Sequence, residues 1–241
     1  MEKGTLLYEG KAKRIYETAE KDVLLVEYKN DATAFNGEKK EVLQGKGILN
    51  NEISSLLFSK LASEGLESHF VKRVSQHEQL VKKVDIIPLE VVVRNVAAGS
   101  LVKRLGLQRG RLFNTPIVEF YYKDDDLGDP LINVDHIHAL NLATSDELEK
   151  MRTVALQVND RLMTIFNQID VQLVDFKLEF GRDPKGNVLL ADEISPDTCR
   201  LWDVKTGESF DKDLFRFQLG SLQNGYETIL QRLGGDSTCS K

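Results

Sequence analysis

The most constraining feature of this sequence is an alternating run near residue 178, which reads Val-Asp-Phe-Lys-Leu-Glu-Phe-Gly over residues 174–181. Successive side chains of a β-strand point to opposite faces, so the run predicts a strand with one apolar and one charged face. The predicted apolar face carries Val174, Phe176, Leu178 and Phe180. The predicted charged face carries Asp175, Lys177 and Glu179. An acid–base–acid face is not the mixed polar face that a half-buried strand usually shows to water, so it indicates candidate chemistry.

A second strand-like run, residues 188–191, follows a Pro-Lys-Gly-Asn turn and leads into Asp192. If the two runs pair as a hairpin, Asp192 comes near Glu179. Two carboxylates converging near Lys177 suggest a divalent cation and a phosphate, and Mg²⁺ commonly uses few carboxylates together with phosphates and waters. The alternative is a set of cross-strand salt bridges on a solvated face.

Composition limits the classes of protein that this chain can belong to. Its 241 residues, 41% hydrophobic and 29% charged, suit one large soluble domain or two small ones sharing a cleft. A net charge of −6 argues against a general nucleic-acid binder. The sequence shows no secretory signal and no apolar run that could span a membrane, and its cysteines, Cys199 and Cys239, form no Cys-x-x-Cys pair. We therefore expect a cytoplasmic protein without a disulfide framework, a membrane partner or a nucleic-acid partner.

The order of predicted elements, strands first and then strands mixed with long helices, indicates an α+β fold. We expect an N-terminal antiparallel sheet with a helix in residues 1–84 and a larger α+β domain in residues 85–241. The predicted strands are 6–8, 14–16, 23–28, 69–74, 78–84, 89–94, 117–122 and the 174–181 hairpin. The predicted helices are 41–63, 100–106, about 144–167 and about 212–233, with a loop over 30–40 and a frayed tail over 236–241.

A short glycine–lysine turn lies between the first two predicted strands and reads Gly10-Lys11-Ala12-Lys13. Glycine lets a backbone approach a ligand closely, and alternate lysines can direct both ammonium groups to phosphates. The turn is not a Walker A loop, which requires Gly-x-x-x-x-Gly-Lys-Ser/Thr before a helix. The alternative is a solvated turn with two surface lysines.

Two further segments carry charged residues in suggestive positions. Glu90 and Arg94 share a face of the predicted 89–94 strand, and Ser100 starts an apparent helix, where an anion is favoured. Their alternative is an ion pair plus a serine N-cap. After the hairpin, Asp197 and Arg200 could bind a polar substrate, or could pair to close a loop over Trp202. His136 and His138 have no nearby third ligand in sequence, so we interpret them as surface or core residues.

Together these segments resemble the SAICAR synthetase family over essentially the whole chain. The resemblance is carried by residues 10–13, 86–94 with Gly99 and Ser100, 174–181, and 192–203. It implies an ATP-dependent ligase of purine biosynthesis that joins L-aspartate to the carboxylate of CAIR, giving SAICAR, ADP and phosphate through an acyl phosphate. It also implies a two-domain fold related to ATP-grasp enzymes, Mg²⁺ as cofactor and a homodimer.

The resemblance further implies a role for each candidate residue. The ATP set is Gly10, Lys11, Ala12, Lys13, Val81, Lys82, Val84 and Lys123, with adenine beside the segment around residue 82. The CAIR set is Glu90, Arg94, Ser100, Asp197 and Arg200, with Asp175 and Lys177 as catalytic residues that orient the imidazole amine and carboxylate. Mg²⁺ would be held by Glu179 and Asp192. Residues 31–40 resemble the family's mobile loop near the aspartate site, with Asn36 where an aspartate would precede Gly37, and no aspartate contact is assigned.

Two other functions fit the same residues. A small-molecule kinase would use the lysines and carboxylates without needing an amine. A non-catalytic nucleotide-binding module would bind ATP without turnover, although mere binding has less need of two metal carboxylates.

Overall fold

The computed structural model describes residues 3–34 and 39–235, so the predicted tail over 236–241 and Asn36 lie outside the described residues. The predicted α+β class is confirmed: two antiparallel sheets and a two-stranded ribbon are combined with six α-helices in the described part of the chain.

The first sheet is built from the N-terminal third of the chain. Its elements and those inserted between them are β1 (Leu6–Glu9), β2 (Lys13–Glu17), β3 (Val23–Tyr28), β4 (Asp31–Ala34), β5 (Lys39–Val42), α1 (Lys46–Ser63), β6 (Phe70–Arg73) and β7 (Glu78–Lys82). The strand order is β1-β2-β3-β7-β6, and β4 pairs with β5 as a separate ribbon. Short hairpins join neighbouring strands, as the close spacing of the apolar runs predicts.

The second sheet supplies most of the charged residues singled out above. Its part of the chain contains β8 (Asp85–Val96), α2 (Gly99–Leu105), β9 (Leu112–Tyr122), β10 (Leu131–Ile132), α3 (Val134–Ala139), α4 (Ser145–Asn167), β11 (Val171–Arg182), β12 (Val188–Ala191), β13 (Cys199–Asp203), α5 (Asp213–Phe217) and α6 (Leu222–Arg232). The strand order is β10-β9-β8-β11-β12, and β13 also pairs with β11. The long central strands β8 and β11 thus hold the site in the middle of the sheet.

One hydrophobic core joins the helices to the second sheet. Phe176, Leu178 and Phe180 of β11 are almost fully buried in it, together with residues of α1, α4 and α6. Burying each such side chain is worth about 1.5–3 kcal/mol, so this face fixes the register of β11. Helix α4 begins where the sequence predicts, because Thr144 and Glu147 form a reciprocal capping box.

Within the described residues, the backbone joins the two sheets at two places. The chain passes from β7 to β8 through Lys83 and Val84. In addition, Ser68 forms a parallel bridge with Leu190 of β12, and the His69 backbone N–H donates to the Leu190 carbonyl at 2.8 Å. The second connection is made by backbone hydrogen bonding, so it does not depend on the identity of those side chains.

Two predicted boundaries in the N-terminal part are wrong. The helix predicted from residue 41 begins at Lys46, and the predicted 30–40 loop contains strand β4. Residues 39–42 pair with 31–34, and Gly45 then adopts a left-handed φ of 82° immediately before the helix. Glycine permits that conformation, and the sharp change of direction ends the ribbon.

The single helix predicted over 212–233 is also wrong, since the structure contains α5 and α6 instead. Gln218 lies in the left-handed region with φ 55°, and the Ser221 side chain then caps α6 by accepting from the Asn224 backbone N–H. The apolar spacing continues across the break because both helices pack on the same core.

Val174 does not share the apolar face predicted for it. A register shift between Leu173 and Asp175 in the pairing with β13 inserts one extra residue, which is a β-bulge. Leu173 and Phe176 consequently belong to the main core, whereas Val174 packs in a small cluster with Trp202. The predicted alternation holds from Asp175 onward.

Candidate active site

A cleft of about 530 Å³ lies between the glycine–lysine turn, the exposed side of the second sheet and α5. Eight predicted site residues line it: Lys11, Glu90, Arg94, Ser100, Asp175, Lys177, Asp197 and Arg200. The lining also contains polar and charged residues that the sequence patterns did not indicate, namely Thr33, Tyr121, Asp129, Thr198, Lys212 and Arg216. Asp175 and Lys177 of the charged face of β11 line this cleft, whereas Glu179 lies next to it, outside the lining, together with Lys13, Lys123 and Asp192. The acids Asp175 and Glu179 are buried rather than solvated.

Lys177 lies at the centre of the charged face. Its Nζ is 2.8 Å from Glu90 Oε1 and 3.1 Å from Glu179 Oε1, and Lys123 Nζ is 2.6 Å from Glu179 Oε2. The pairing of β8 with β11 sets Glu90 directly opposite Glu179, which would repel without the two lysines. Burial alone would lower the pKa of Lys177, but Glu179 and Glu90 outweigh burial and raise it, so the ammonium is charged at neutral pH.

Asp192 approaches the same group of lysines from β12. Glu179 pairs with Ala191 in the hairpin, so Asp192 lies just beyond it, as expected. Asp192 Oδ1 is 2.5 Å from Lys13 Nζ. Burial would raise the pKa of Asp192, yet attraction by Lys13, Lys177 and Lys123 holds it well below its usual range. The carboxylate is therefore ionised, as a metal ligand must be.

The donor set fits a magnesium ion that is completed by substrate oxygens. Among residues 3–34 and 39–235 no group of three or more His, Cys, Asp or Glu side chains could hold a metal. Glu179 and Asp192 supply two carboxylates beside Lys13, Lys123 and Lys177, and Mg²⁺ is typically bound by one or two carboxylates with phosphates and waters. His136 has a structural part in the capping box of α3, where its Nδ1 accepts from the Asn133 backbone N–H at 3.3 Å.

Asp175 joins two arginines at one end of the cleft. Its Oδ2 is 2.8 Å from Arg94 Nη1 and 3.0 Å from Arg200 Nη1. Glu119 accepts from Arg94 Nε at 2.6 Å, and Tyr121 Oη lies 3.1 Å from Arg94 Nη2. Each donor edge of the Arg94 guanidinium is thus fixed, which presents it to the cleft in one orientation.

The start of α2 lies against the second of these arginines. Gly99 has φ 55°, and a Cβ built there would lie 2.7–2.8 Å from the Arg200 guanidinium. Ser100 follows in the first turn, because Ala98 is the N-cap; the serine N-cap alternative is wrong. Glycine is needed here for the backbone conformation and also for the close approach of Arg200.

Asp197 is held by residues from two distant helices. Lys46 Nζ of α1 and Tyr226 Oη of α6 each lie 2.5 Å from its carboxylate oxygens, and Lys212 Nζ is 3.9 Å away. Burial would raise the pKa of Asp197, but Lys46 and Lys212 lower it far below its usual value. Arg200 pairs with Asp175 and Asp213, so the alternative of an Asp197–Arg200 pair closing the loop is wrong.

The glycine–lysine turn points both lysines at the larger part of the protein. The Gly10 backbone N–H donates to the Lys13 carbonyl at 2.8 Å, which closes the hairpin, and Ala12 accepts from the backbone of Lys29. Lys11 Nζ contacts Asp125 at 2.6 Å in an exposed pair, whereas the Lys13 side chain is largely buried. The alternative of a solvated turn with two surface lysines therefore holds for Lys11 but not for Lys13.

Val81, Lys82 and Val84 lie outside the cleft lining, at the end of β7 and in the passage to β8. Val81 is buried in a small cluster with Val26 and Tyr28, and Lys82 is exposed. Val84 packs where a side chain at position 181 would otherwise be, with its Cγ2 2.6 Å from a Cβ built on Gly181.

Some residues of the site carry little signal in the sequence. Glu193 contacts Lys13 at 3.0 Å but follows Asp192 directly, and strand alternation would send it to the other face. Lys46 lies at a helix start that the sequence analysis placed too early. Lys212 and Arg216 are spaced by four, which places them on one side of a helix, and this is the one pattern that could have identified them.

A cleft lined by arginines, lysines and a buried aspartate, with a second group of buried acids and lysines beside it, defines an enzyme acting on small anionic substrates. The model of the SAICAR synthetase family matches residues 6–233. The chain belongs to the SAICAR synthetase family. In the described part of the chain no helix is both long and apolar enough to cross a membrane.

Individual relatives agree with the family match. The chain is 64% identical over 241 residues, the full length of both proteins, to the phosphoribosylaminoimidazole-succinocarboxamide synthase of Anoxybacillus flavithermus. The crystal structure of that synthase from Ehrlichia chaffeensis superposes with a TM-score of 0.94 at 45% identity, covering 97% of this chain and all of the other. A SAICAR synthetase in complex with ADP superposes with a TM-score of 0.92 at 49% identity, covering 95% of this chain and 97% of the other.

Proposed function

We propose that this chain is the ATP-dependent ligase that joins L-aspartate to the carboxylate of CAIR, giving SAICAR, ADP and phosphate in purine biosynthesis. The observation that carries the proposal is the charged face of β11. It places Asp175 among arginines at one end and Glu179 among lysines at the other, with Lys177 between them. An anionic substrate at the first end would then meet a nucleotide at the second.

We assign the arginine end to CAIR. Arg94 and Arg200 are suited to its phosphate, since guanidinium groups bind phosphate in a bidentate manner, and Ser100 lies beside them in the cleft. Asp197 and Glu90 are assigned to the same substrate. Asp175 and Lys177 are the proposed catalytic residues, which orient the imidazole amine and the carboxylate.

We assign the lysine end to ATP. Lys11, Lys13 and Lys123 would neutralise its phosphates, Gly10 and Ala12 would bring the turn backbone close, and adenine would lie beside the Val81, Lys82 and Val84 segment. Glu179 and Asp192 would hold Mg²⁺, whose chemistry there is to neutralise charge on the transferring phosphoryl group. The lysines would turn from these carboxylates to the phosphates when the nucleotide binds.

The proposed reaction balances in two steps. A CAIR carboxylate oxygen attacks the γ-phosphorus of ATP, forming an acyl phosphate and releasing ADP. The neutral amine of aspartate then attacks the acyl carbon, the C–O bond to phosphate breaks with its electron pair on the phosphate, and the departing phosphate takes up the proton that the nitrogen loses. Phosphorylation is needed because an unmodified carboxylate would have to expel oxide. In this proposal Lys177 holds the carboxylate in line for the first step.

We further propose a cytoplasmic homodimer whose two units, residues 1–84 and 85–241, share the nucleotide between them. The family resemblance supports the homodimer and the division into two units. The buried free thiol of Cys199, whose pKa is raised by burial, fits a reducing compartment. Light scattering after gel filtration checks the dimer, which a mass of one chain would contradict.

The decisive experiment is the dependence of ADP formation on L-aspartate. With ATP, Mg²⁺ and CAIR present, we expect ADP to accumulate in a one-to-one ratio with SAICAR and only when L-aspartate is added. ADP formation that continues without aspartate, with a phosphorylated product, would favour the small-molecule kinase. ATP binding without turnover would favour the non-catalytic module.

A further inference from the structure

Two neighbouring carboxylates, those of Asp192 and Glu193, contact a single ammonium group. Lys13 Nζ is 2.5 Å from Asp192 Oδ1 and 3.0 Å from Glu193 Oε1. In an extended strand, consecutive side chains point to opposite faces, so this convergence needs a local change of backbone. Asp192 supplies it with a left-handed φ of 59°, a conformation that aspartate tolerates better than most residues.

The two carboxylates differ in their surroundings. The Asp192 side chain is 22% exposed and can be reached by a ligand, whereas the Glu193 side chain is only 4% exposed. The second oxygen of Glu193 accepts a hydrogen bond from Ser195 Oγ at 2.7 Å. Glu193 is thus fixed on both oxygens, while Asp192 has freedom to change partner.

The contacts continue from Glu193 to the substrate end of the cleft. Ser195 Oγ, which donates to Glu193, accepts from the backbone N–H of Asp197 at 3.1 Å. The Asp197 carboxylate lies in the cleft, where Lys46 and Tyr226 bind it. An ion pair followed by two hydrogen bonds therefore joins the ammonium of Lys13 to the loop that carries Asp197.

We infer that Glu193 is a positioning residue, which holds Lys13 in place once Asp192 has turned to Mg²⁺ and, through Ser195, ties Lys13 to the loop bearing Asp197. The inference rests on the roles proposed above for Lys13, Asp192 and Asp197. A lysine ammonium has three donors, so one bond to Glu193 leaves two for phosphate oxygens. Without Glu193, and with Asp192 turned to Mg²⁺, the largely buried Lys13 ammonium would keep the ring of Tyr28, 5.4 Å from its Nζ, as its one remaining partner among the residues that the structure describes.

The test is calorimetric titration of ADP into wild-type protein and Glu193→Gln, each with and without Mg²⁺. Gln keeps the shape but removes the charge. With Mg²⁺ we expect Glu193→Gln to bind ADP about tenfold more weakly than wild type, which is the effect of losing one charge-assisted contact. Without Mg²⁺ we expect a difference of about twofold or less, because Asp192 then still holds Lys13. Glu52→Gln is the matched control, since Glu52 is buried and pairs with Arg73 outside the cleft at 2.9 Å; its ADP affinity should equal the wild type's.

Ser195→Ala tests the second half of the inference. It leaves the Lys13–Glu193 pair intact, so ADP affinity should stay within about twofold of wild type while the KM for CAIR rises several-fold.

Equal ADP affinity in wild type and Glu193→Gln with Mg²⁺, or an equal loss with and without Mg²⁺, would overturn the positioning role. An unchanged KM for CAIR in Ser195→Ala would overturn the connection to Asp197. If Glu193→Gln does not fold, Glu193→Asp, which keeps the charge but shortens its reach, carries the same expectations. Wild-type protein that binds no ADP would instead refute the proposed function.

Discussion

At the scale of single residues, the site depends on close approaches that only particular side chains allow. Gly99 combines a left-handed backbone with a Cβ position that the Arg200 guanidinium already occupies. Arg200 in turn is one of two arginines on Asp175. A methyl group at residue 99 would therefore act on the active site through Arg200, and not only on the stability of α2.

We predict that Gly99→Ala raises the KM for CAIR by about tenfold or more, because displacing Arg200 removes a charge-assisted contact. The control is Gly106→Ala at the other end of α2, which has a similar φ of 63° but open space around a built Cβ. Both variants should lose about 1 kcal/mol of stability through backbone strain. Steady-state kinetics with urea unfolding separates the effects, and equal KM values in the two variants would contradict the steric argument.

The sequence predicts individual contacts well in regular β-strands, where side chains alternate between two faces. It predicts them poorly where a bulge or a left-handed residue interrupts that alternation. Asp175, Lys177 and Glu179 share a face as predicted, because β11 pairs regularly with β8 from Asp175 to Glu179. Val174 and Glu193 are the exceptions, since Val174 is the extra residue of a bulge and a left-handed residue precedes Glu193. Neither irregularity is encoded by a proline or a glycine, so propensity alone gives no warning of it.

At the scale of elements, one carboxylate, that of Glu147, both caps helix α4 and links it to β11. Glu147 caps the helix through the backbone N–H of Thr144 at 2.8 Å and pairs with Arg182 of β11 at 2.5 and 2.9 Å. The hydrogen bonds from Arg182, followed by those from Thr144, lower the pKa of Glu147 to about 2 despite partial burial. The capping box was predictable from sequence spacing, whereas Arg182 required the three-dimensional pairing.

We predict that Glu147→Gln lowers the free energy of unfolding by about 1–2 kcal/mol at pH 7. The folded pKa lies below the usual 4.5, so this stabilisation is present above pH 4.5 and is lost as the pH falls toward 2. Urea unfolding at pH 7, 4 and 3 should show the difference from wild type shrinking with acidity. The control is Glu149→Gln, at an exposed position of the same helix, which should show no such trend. A difference between wild type and Glu147→Gln that does not change with pH would contradict the stabilising role of the ionised Glu147 carboxylate.

At the scale of the whole molecule, the two sheets do not correspond to two separate cores. The α1 residues Leu49, Ile53 and Leu57 are buried in the cluster that also contains Phe176 of β11 and Tyr226 of α6. A division of the chain near residue 84 follows the sheets, but it cuts through this packing. The sequence indicates the sheets from their strand runs; it cannot indicate which sheet an amphipathic helix will cover.

We accordingly predict that residues 1–84 expressed alone do not unfold cooperatively, because the apolar face of α1 would be exposed at a cost of about 1.5–3 kcal/mol per large side chain. The full chain should unfold in one transition, with circular dichroism and tryptophan fluorescence giving the same midpoint. Mixing the fragment of residues 1–84 with a fragment of residues 85–241 should restore structure in both fragments. A cooperative transition in the isolated fragment would refute a shared core.

The attachments of the first sheet to the rest of the protein are unequal in strength. Backbone atoms connect the first sheet to the second at the Ser68–Leu190 bridge and at the β7–β8 passage. On the side of Lys11, by contrast, the contact is an exposed ion pair with Asp125. Such pairs contribute about 0–1 kcal/mol, comparable to thermal energy. Lys13 lies beside the anchored margin, because its ammonium contacts Asp192, two residues beyond Leu190 of the bridge. An incoming polyphosphate therefore displaces the exposed Lys11–Asp125 pair at little cost, whereas to recruit Lys13 it has to compete with a largely buried ion pair.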